Sequence, residues 1–245
     1  MDPEQTIPTK AMILAAGLGT RLRPITDTIP KALIKIDGRT LLEGAIRHLA
    51  NYGVKEIIIN VHHFADQVIQ YLDQNINFGL NITISDEKNQ LLDTGGGLKK
   101  SSRFFAGREP FFVRNVDIIS DLDLHSMMEY HLQSHALATL AVRKRETSRY
   151  FLFNPDHHLC GWTNLKTGEK ILSFESSGNL EMLAFSGIQI LNPEIFPLIT
   201  EEGKFSLTTL YLRLAKDHTI MGFMDRGSVW RDVGKEPGEI MNYGL

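Results

Sequence analysis

Apolar residues follow two alternating patterns between residues 10 and 142. Short apolar runs of strand length stop at polar or glycine-rich turns, and the segments between them place apolar residues three or four positions apart, as one helical face requires. The pattern predicts strands over residues 11–16, 33–36, 56–61, 80–85, 111–114 and 138–142. It predicts helices after Thr40, over 65–72 and over 122–135. Strands that alternate with helices indicate an α/β fold, in which a parallel sheet is wound with right-handed crossovers.

The pattern loosens after residue 143. Residues 143–179 favour short hairpins, because Asn-Pro-Asp and Lys-Thr-Gly turn signals interrupt the apolar positions. Two further strands are predicted over 171–175 and 182–191, and two further helices begin near 192 and 207. We expect one domain over residues 1–245, since a chain of this length with 42% hydrophobic residues can bury a full core.

The first predicted strand ends in a glycine turn that is followed by cations. Gly17 and Gly19 let the backbone turn tightly and leave amide groups uncovered, and such amides after a strand form an anion-binding concavity. Arg21, Arg23 and Lys31 follow at short spacing. Fixed cations beside exposed amides are what a polyphosphate chain needs. The stretch therefore predicts a triphosphate site.

Two other glycine-rich phosphate motifs fit this stretch poorly. A dinucleotide fingerprint requires a third glycine where Leu22 stands, and a Walker loop requires G-x-x-x-x-G-K-[ST], which the sequence lacks. A solvated loop whose arginines face water is the remaining alternative. The buried strand before the turn weighs against it, as does the compact closure of the stretch by Pro24, Pro30 and Lys31.

Carboxylates that follow predicted strands are candidates for a functional role. Asp117 comes after the strand at 111–114, where open α/β sheets bind their ligands, although an aspartate there is equally suited to cap a turn. Asp232 follows an aromatic strand segment and, from the residues alone, would cap a closing helix. The adjacent pairs His62-His63 and His157-His158 are not expected to bind metal, because neighbouring rings rarely reach one ion.

Three glycines, Gly95 to Gly97, precede a helical run. Composition leaves a flexible loop open at this place. A glycine-rich entry to a helix also permits a flat base or a phosphate to touch the backbone.

Composition narrows the class of protein. The formal net charge of −3 gives no general attraction to nucleic acid or anionic membranes. The single cysteine, Cys160, excludes an internal disulfide framework and indicates a reducing compartment. Residues 1–8 are polar, unlike a signal peptide, and no apolar run approaches the ~20 residues of a membrane span. We expect a cytoplasmic protein with no nucleic-acid or membrane partner, and leave a homo-oligomer open.

The glycine turn and its cations resemble a known family motif. The opening of the sugar-1-phosphate nucleotidylyltransferases is similar to the run Gly17-x-Gly19-Thr20-Arg21-Leu22-x-Pro24 followed by Pro30-Lys31. The resemblance extends from Ala11 to about Gly238. It implies a Rossmann-like, nucleotide-diphospho-sugar transferase (GT-A-like) fold with a mostly parallel central sheet flanked by helices. It also implies a nucleotide-binding half over about 10–142 and a sugar-phosphate-binding half over about 143–245.

The resemblance implies roles for residues of both halves. Nucleotide contacts are implied at Ala15, Ala16, Gly17, Gly19, Thr20, Arg21, Thr94, Gly95 and Gly96. Sugar-phosphate contacts are implied at Lys31, Glu175 and Gly187. Asp117 and Asp232 are implied as ligands of Mg²⁺, a hard cation that prefers oxygen.

The chain departs from the family pattern at several positions. Ala32 stands where many members have a second proline, and Val116 replaces the glycine of the usual Asn-Gly-Asp segment. The usual Glu-Lys-Pro segment reads Glu175-Ser176-Ser177, so its lysine and proline are missing.

The family reaction transfers a nucleotidyl group from a nucleoside triphosphate to a sugar-1-phosphate and releases pyrophosphate. A phosphomonoester has a second pKa of ~6, so the nucleophile is already ionised and no Ser-His-Asp device is needed. Arg21, Lys31 and Asp117 would act by positioning and charge neutralisation. Members that pair UTP with N-acetylmuramate- or hexose-1-phosphate, GTP with mannose-1-phosphate, or CTP with phosphocholine stay open. So does a non-catalytic relative that binds nucleotide sugars.

Overall fold

The computed structural model of the protein describes residues 9–174 and 178–234. The strands within these ranges are β1 (Lys10–Leu14), β2 (Lys35–Ile36), β3 (Arg39–Thr40), β4 (Glu56–Val61), β5 (Asn81–Asp86), β6 (Phe111–Asn115), β7 (Ile118–Ser120), β8 (Ala138–Arg143), β9 (Arg149–Phe153), β10 (Leu159–Asn164), β11 (Glu169–Leu172), β12 (Glu181–Leu191), β13 (Ile220–Met224) and β14 (Trp230–Asp232). The α-helices are α1 (Leu41–Asn51), α2 (Ala65–Gln74), α3 (Asp93–Lys100), α4 (Leu124–Ser134) and α5 (Leu207–Leu214). No helix in the described ranges is long and apolar enough to cross a bilayer.

Ten strands form one large sheet with a parallel part and an antiparallel part. Its order is β11-β10-β9-β12-β6-β1-β4-β5, with β8 beside β12 and β13 beside β8. Strands β6, β1, β4 and β5 run parallel to one another. Strand β12 is antiparallel to β6 and leads to the hairpins of β9, β10 and β11. The α/β fold predicted from the alternation of strands and helices is confirmed.

Two local expectations were wrong. Of the strand expected over residues 33–36, only Lys35–Ile36 forms a strand, because Leu33 is the last residue of the 3₁₀ helix Lys31–Leu33 and Ile34 lies between the two elements. The run is too short to join the large sheet, and it pairs instead with β3 across the Asp37-Gly38 turn, where both residues have positive φ. The pattern also failed to predict β13, because its apolar run is brief and contains a glycine.

The helices cover both faces of the sheet in two separate apolar cores. Helices α1, α2 and α4 pack on one face with Ala11 and Ile13 of β1, and helices α3 and α5 pack on the other with Met12 and Leu14. Successive residues of a strand point to opposite faces. A continuous apolar run is therefore what a strand buried on both faces requires, as the sequence predicted for β1 and β4.

Helix α1 begins directly after Thr40, as the sequence predicted. The Thr40 hydroxyl accepts a hydrogen bond from the Glu43 amide at 3.0 Å, which satisfies one free donor of the first turn. Thr40 and Glu43 have the spacing of a capping box, but only half of it forms, because the Glu43 carboxylate accepts from Arg47 and Tyr71. Gly53, with φ of 87°, ends the segment.

The candidate site lies at the carboxyl edge of the parallel strands. The chain leaves β1 and β6 at this edge, and these two strands are neighbours although β4 and β5 intervene in sequence. The chain after β1 leads to β4 on one side of this pair, and the chain after β6 leads to β8 and β12 on the other side, which creates a crevice at the ends of β1 and β6. The loop with Gly17 and the loop with Asp117 face each other there.

A buried histidine in α4 gives the fold a pH dependence. His131 is 1% exposed, and its Nδ1 lies 2.8 Å from the Thr139 hydroxyl. Burial lowers the pKa of His131 from 6.5 to about 4. Between these two values the unfolded chain binds a proton that the folded chain does not, so the free energy of unfolding falls as the pH is lowered through this interval.

We predict that H131N flattens this dependence. Asparagine keeps a polar atom near Thr139 but does not titrate, so the slope between pH 6.5 and 4 should fall by up to about 1.4 kcal/mol per pH unit. Urea unfolding at several pH values measures the slope, and H218N, at an exposed position, is the control. Equal slopes for H131N and the wild type would contradict the prediction.

Candidate active site

The glycine turn after β1 is held open by contacts within the protein. Gly19 has φ of 64°, and a Cβ there would meet Thr26 Cγ2 at 2.8 Å, so the position requires glycine. The Gly19 carbonyl accepts a hydrogen bond from the Thr26 hydroxyl at 2.9 Å. Gly17 and Thr20 are exposed. The Ala15 amide is already engaged, because it donates to Asn60 Oδ1 at 2.8 Å. A ligand could therefore contact the turn at Gly17 and Thr20 but not at the Ala15 amide.

Lys31 and Asp117 form an ion pair across the crevice. Lys31 begins the 3₁₀ helix Lys31–Leu33 and is only 8% exposed. Asp117 follows β6, and its side chain is 17% exposed. A buried ammonium needs a charged partner, so the pair fixes both side chains in the crevice. The structure thus places Lys31 and Asp117, which are 86 residues apart in sequence, in direct contact.

Strand β14 brings Asp232 beside Asp117. It pairs antiparallel with β7 so that Asp232 lies opposite Ile118, the residue after Asp117. The Val233 amide donates to the Asp117 carbonyl at 3.1 Å. The small sheet of β7 and β14 therefore brings together Asp232, at the end of β14, and Asp117, the residue before β7, although the two are remote in sequence.

Gly234 marks the point where the predicted charged residues converge. A Cβ at Gly234 would lie 2.5 Å from Lys31 Nζ, 3.1 Å from Arg21 Nη2 and 3.1 Å from Asp232 Oδ1. The structure thus brings together Arg21, Lys31, Asp117 and Asp232. Arg23 is not part of this group, because it pairs with Asp27 where both side chains are more than half exposed.

Two cavities meet at this point. The smaller has about 330 Å³ and is lined by Ala16, Gly17, Asn60, Thr94, Asp117, Lys204 and neighbouring residues. The larger has about 1510 Å³ and is lined by Arg21, Arg145, Trp162, Gly187, Trp230, Asp232, Gly234 and others. Asn115 lines both cavities. The arrangement suits two ligands whose reacting ends meet near Asn115.

The glycine stretch of α3 packs against the loop before α5. The amides of Gly95 and Gly96 donate to the Phe205 carbonyl at 2.9 and 3.3 Å, and a Cβ at either position would collide with residues of that loop. The Thr94 hydroxyl accepts from the Leu207 amide at 2.9 Å. The glycines are the first turns of a helix rather than a loop, and Thr94 reaches the smaller cavity. The base contacts implied at Gly95 and Gly96 stay a prediction.

The floor of the larger cavity needs a glycine. Gly187 has φ of 79°, and a Cβ there would meet Ile118 Cγ1 at 2.5 Å. The irregular register of β12 on β8 spans this position. Glu175, the other residue implied in sugar binding, lies outside the described residues.

An arginine–tryptophan pair forms one wall of the larger cavity. The Arg145 guanidinium lies 4.3 Å from the centre of the Trp230 ring and donates to the Phe185 carbonyl at 3.0 Å. Trp230 in turn donates to the Ser186 carbonyl at 2.9 Å. Burial lowers the pKa of Arg145, and the Asp232 charge opposes that shift. The sequence analysis missed Arg145 because it belongs to no motif.

The sequence analysis also missed a buried network under the smaller cavity. Glu87 is 2% exposed, and its carboxylate accepts from Asn60 Nδ2 at 2.8 Å and from the Leu92 amide at 3.0 Å. Asn60 holds the Ala15 amide with its other side-chain atom. The network joins β4 to the loops that follow β1 and β5. A polar Asn60 inside an otherwise apolar strand was the available signal.

The carboxylates suit Mg²⁺. This ion usually takes one or two carboxylates, keeps several waters and completes its shell with substrate phosphates. Asp117 and Asp232 offer two carboxylates next to exposed amides and cations, so the donor set fits. Within residues 9–174 and 178–234, no three His, Cys, Asp or Glu side chains are grouped so that they could hold a metal on their own.

The match to a family model agrees with this geometry. The model described as nucleotidyl transferase matches residues 10–238. The chain therefore belongs to the nucleotidyl transferase family, and the resemblance carried by the Gly17–Lys31 motif is confirmed.

Curated relatives narrow the comparison. The chain is 35% identical over 241 residues to N-acetylmuramate alpha-1-phosphate uridylyltransferase of Caulobacter vibrioides, with 95% of each chain covered. It is 33% identical to mannose-1-phosphate guanyltransferase of Yarrowia lipolytica, with 92% of this chain and 61% of that protein covered.

Solved structures share the fold. The chain superposes with a TM-score of 0.76 on UDP-glucose pyrophosphorylase complexed with UDP-glucose, at 20% identity over 96% of this chain and 98% of that one. It superposes with a TM-score of 0.74 on HddC from Yersinia pseudotuberculosis complexed with GMP-PN, at 21% identity over 96% and 99% of the two chains.

We predict that G234A disables the site without unfolding the protein. A methyl group there would force apart Lys31, Arg21 and Asp232, whose charges act together, so kcat should fall by about 100-fold. The matched control is G44A, because Gly44 lies exposed within α1 with free space around it and alanine favours a helix.

Steady-state kinetics and thermal melting distinguish the outcomes. G44A should keep its activity and melt at the same or a higher temperature. Wild-type kcat in a folded G234A variant would show that the convergence at Gly234 is not needed for turnover.

Proposed function

We propose that the protein transfers a nucleotidyl group from a nucleoside triphosphate to a sugar-1-phosphate and releases pyrophosphate. The observation that carries the proposal is the convergence of Arg21, Lys31 and Asp232 on Gly234, where the two cavities meet. The smaller cavity would take the nucleotide and the larger one the sugar. In support, most residues that line the smaller cavity come from residues 10–142 and most that line the larger one from residues 143–245.

The residues act by positioning and by charge. An oxygen of the sugar phosphate forms a bond to the α-phosphorus, and the bond from that phosphorus to the bridging oxygen of the β-phosphate breaks, so the electron pair leaves with pyrophosphate. Because the phosphomonoester is ionised at neutral pH, no base has to remove a proton. Lys31 would contact the α-phosphate or the sugar phosphate, and Arg21 the outer phosphates. Both would stabilise negative charge in the transition state.

Asp117 and Asp232 would hold Mg²⁺. The bound ion supplies neutralisation and orientation of the triphosphate. The role of the two aspartates is to fix the ion at the junction of the cavities, where Lys31 already contacts Asp117.

We further propose UTP and N-acetylmuramate-1-phosphate as the substrate pair, which would make the product a precursor for cell-wall synthesis. The support is that two N-acetylmuramate alpha-1-phosphate uridylyltransferases, from Caulobacter vibrioides and Neisseria meningitidis, are similar to this chain over more than nine-tenths of its length. A second candidate, GTP with mannose-1-phosphate, is supported by guanyltransferases of similar identity. These are longer proteins, of which this chain spans 61%.

A substrate screen tests both levels of the proposal. The four nucleoside triphosphates are combined with N-acetylmuramate-, glucose- and mannose-1-phosphate and with phosphocholine, and pyrophosphate release is measured with and without Mg²⁺. We expect release only when a triphosphate and a sugar-1-phosphate are both present, and the highest kcat/KM for UTP with N-acetylmuramate-1-phosphate. Nucleotide binding without turnover for any pair would favour a binding module.

We predict that D117N and D232N are not additive in turnover. If both side chains hold one ion, removing either already dismantles the site, so each single change should cost about 100-fold in kcat and the double change little more. Asparagine keeps the shape but compensates a divalent cation poorly. D66N, at an exposed carboxylate that pairs with Lys88, is the control.

Melting and Mg²⁺-titrated turnover decide between this role and simple turn caps. Caps would give stability losses of up to ~2 kcal/mol each that add in the double variant. That result, with an unchanged Mg²⁺ midpoint, would overturn the metal assignment.

A further inference from the structure

A charged side chain lies fully buried just before the Asp117 loop. Arg114 occupies the fourth position of β6, three residues before Asp117, and is 1% exposed. Removing a guanidinium from water is costly unless its donors are paired. An apolar residue would satisfy the strand pattern at this place, so the arginine calls for a specific explanation.

The partners of Arg114 are neutral acceptors. Its Nη2 donates to the Ile118 carbonyl at 2.6 Å, and its Nη1 donates to His48 Nδ1 at 2.6 Å. None of the ion pairs between described residues involves Arg114. Burial lowers the pKa of Arg114 to about 10, and the nearby charge of Asp117 opposes that shift. The side chain therefore stays a cation at neutral pH.

These contacts fix the state of His48. A guanidinium can only donate, so His48 Nδ1 must accept and the ring proton must be on Nε2. That nitrogen then donates to the Leu122 carbonyl at 3.0 Å. Burial and the charge of Arg114 lower the pKa of His48 to about 4, so the ring is neutral at neutral pH. Arg114 therefore donates to His48, and His48 donates to the Leu122 carbonyl.

The chain of hydrogen bonds ends on the segment that carries the site. The Ile118 carbonyl belongs to the residue after Asp117, and the Leu122 carbonyl lies just beyond β7. Strand β7 pairs with β14, which carries Asp232. Two carbonyls of residues 118–122 thus accept hydrogen bonds from other elements: Ile118 from Arg114 of β6, and Leu122 from His48 of α1.

We propose that Arg114 and His48 are positioning residues that hold residues 115–122 in the conformation in which Asp117 faces Lys31 and β7 pairs with β14. The proposal rests on the proposed function for its kinetic consequences, because the placement of Asp117 and Asp232 matters to turnover through the ion they would share. The structural consequence of the proposal is that the hydrogen bond from the Val233 amide to the Asp117 carbonyl depends on Arg114 and His48. This consequence does not depend on the proposed function.

The kinetic test uses R114M, H48A and H48N. An asparagine amide oxygen falls near the place of Nδ1 and accepts from Arg114, whereas alanine leaves Nη1 without its partner. We expect R114M and H48A to lower kcat by about tenfold or more and to raise the Mg²⁺ midpoint, with KM for the nucleotide unchanged, and H48N to recover most of the loss. The control is R47M, because Arg47 is an exposed arginine of the same helix, α1.

Two further measurements do not depend on turnover. Nitrogen NMR of the His48 ring should show a protonated Nε2 and a bare Nδ1. Hydrogen exchange should show that the Val233 amide, which donates to the Asp117 carbonyl, loses protection in R114M and H48A, while the Ile59 amide in β4 keeps it.

The outcomes separate the two proposals. Lower melting temperatures with unchanged kcat, Mg²⁺ midpoint and Val233 protection would make Arg114 and His48 ordinary structural residues and overturn the positioning role. A proton on Nδ1 would overturn the hydrogen-bond chain. An inactive wild-type protein would overturn the proposed function, and loss of Val233 protection in folded R114M or H48A would still support the positioning role. If R114M does not fold, H48A and H48N carry the test.

Discussion

The ion pair between Lys31 and Asp117 holds the candidate site together. Lys31 belongs to the loop after β1 and Asp117 to the loop after β6, and the two loops meet only because these strands are parallel neighbours. Lys31 is too deeply buried to be solvated without a partner. The glycine turn also packs closely against Lys31, since a Cβ at Gly19 would lie 3.2 Å from the Lys31 Cβ. The order of the strands and the charges of the two side chains therefore both favour contact between Lys31 and Asp117.

The charges around Gly234 balance one another in the protein alone. Arg21 and Lys31 oppose Asp117 and Asp232, and this balance suits a site that has to exist before its ligands arrive. A triphosphate and a phosphomonoester would add negative charge that the four side chains do not cancel. On the proposed function, Lys31 becomes available to phosphate oxygens once Asp117 serves another cation. The ion pair would then be a resting state rather than the arrangement that acts on the substrate.

Local signals in the sequence predicted most of the fold and the charged centre of the site. The Gly17 turn, Lys31 and the aspartate after β6 are encoded within a few residues of a strand, and a strand end is easily recognised from an apolar run. The strand predicted over residues 33–36 is only half present, because a short apolar run also fits a 3₁₀ turn, which here includes Leu33.

The supporting residues could not be predicted, because their roles depend on contacts between distant segments. Asn60 and Glu87 meet only when β4 and β5 pair, and His48 reaches Arg114 across 66 residues. Nothing within a few positions of Gly234 indicates that Lys31 and Arg21 close over it. Arginine in β6 even contradicts the apolar pattern of a buried strand. A buried arginine in an apolar strand therefore indicates a role other than packing in the core.

The three glycines of α3 bear on how this protein can change in evolution. Side chains are excluded at each of them: Phe205 fills the space beside Gly95, the Gly203 carbonyl that beside Gly96, and the Asn60 and Glu87 side chains that beside Gly97. These three positions, which follow the cavity-lining Thr94, therefore tolerate substitution poorly. Inherited variation in what the cavity accepts would then arise at other lining positions, such as Leu91 and Lys204. A lineage could in this way alter its choice of ligand while the backbone beneath stays the same.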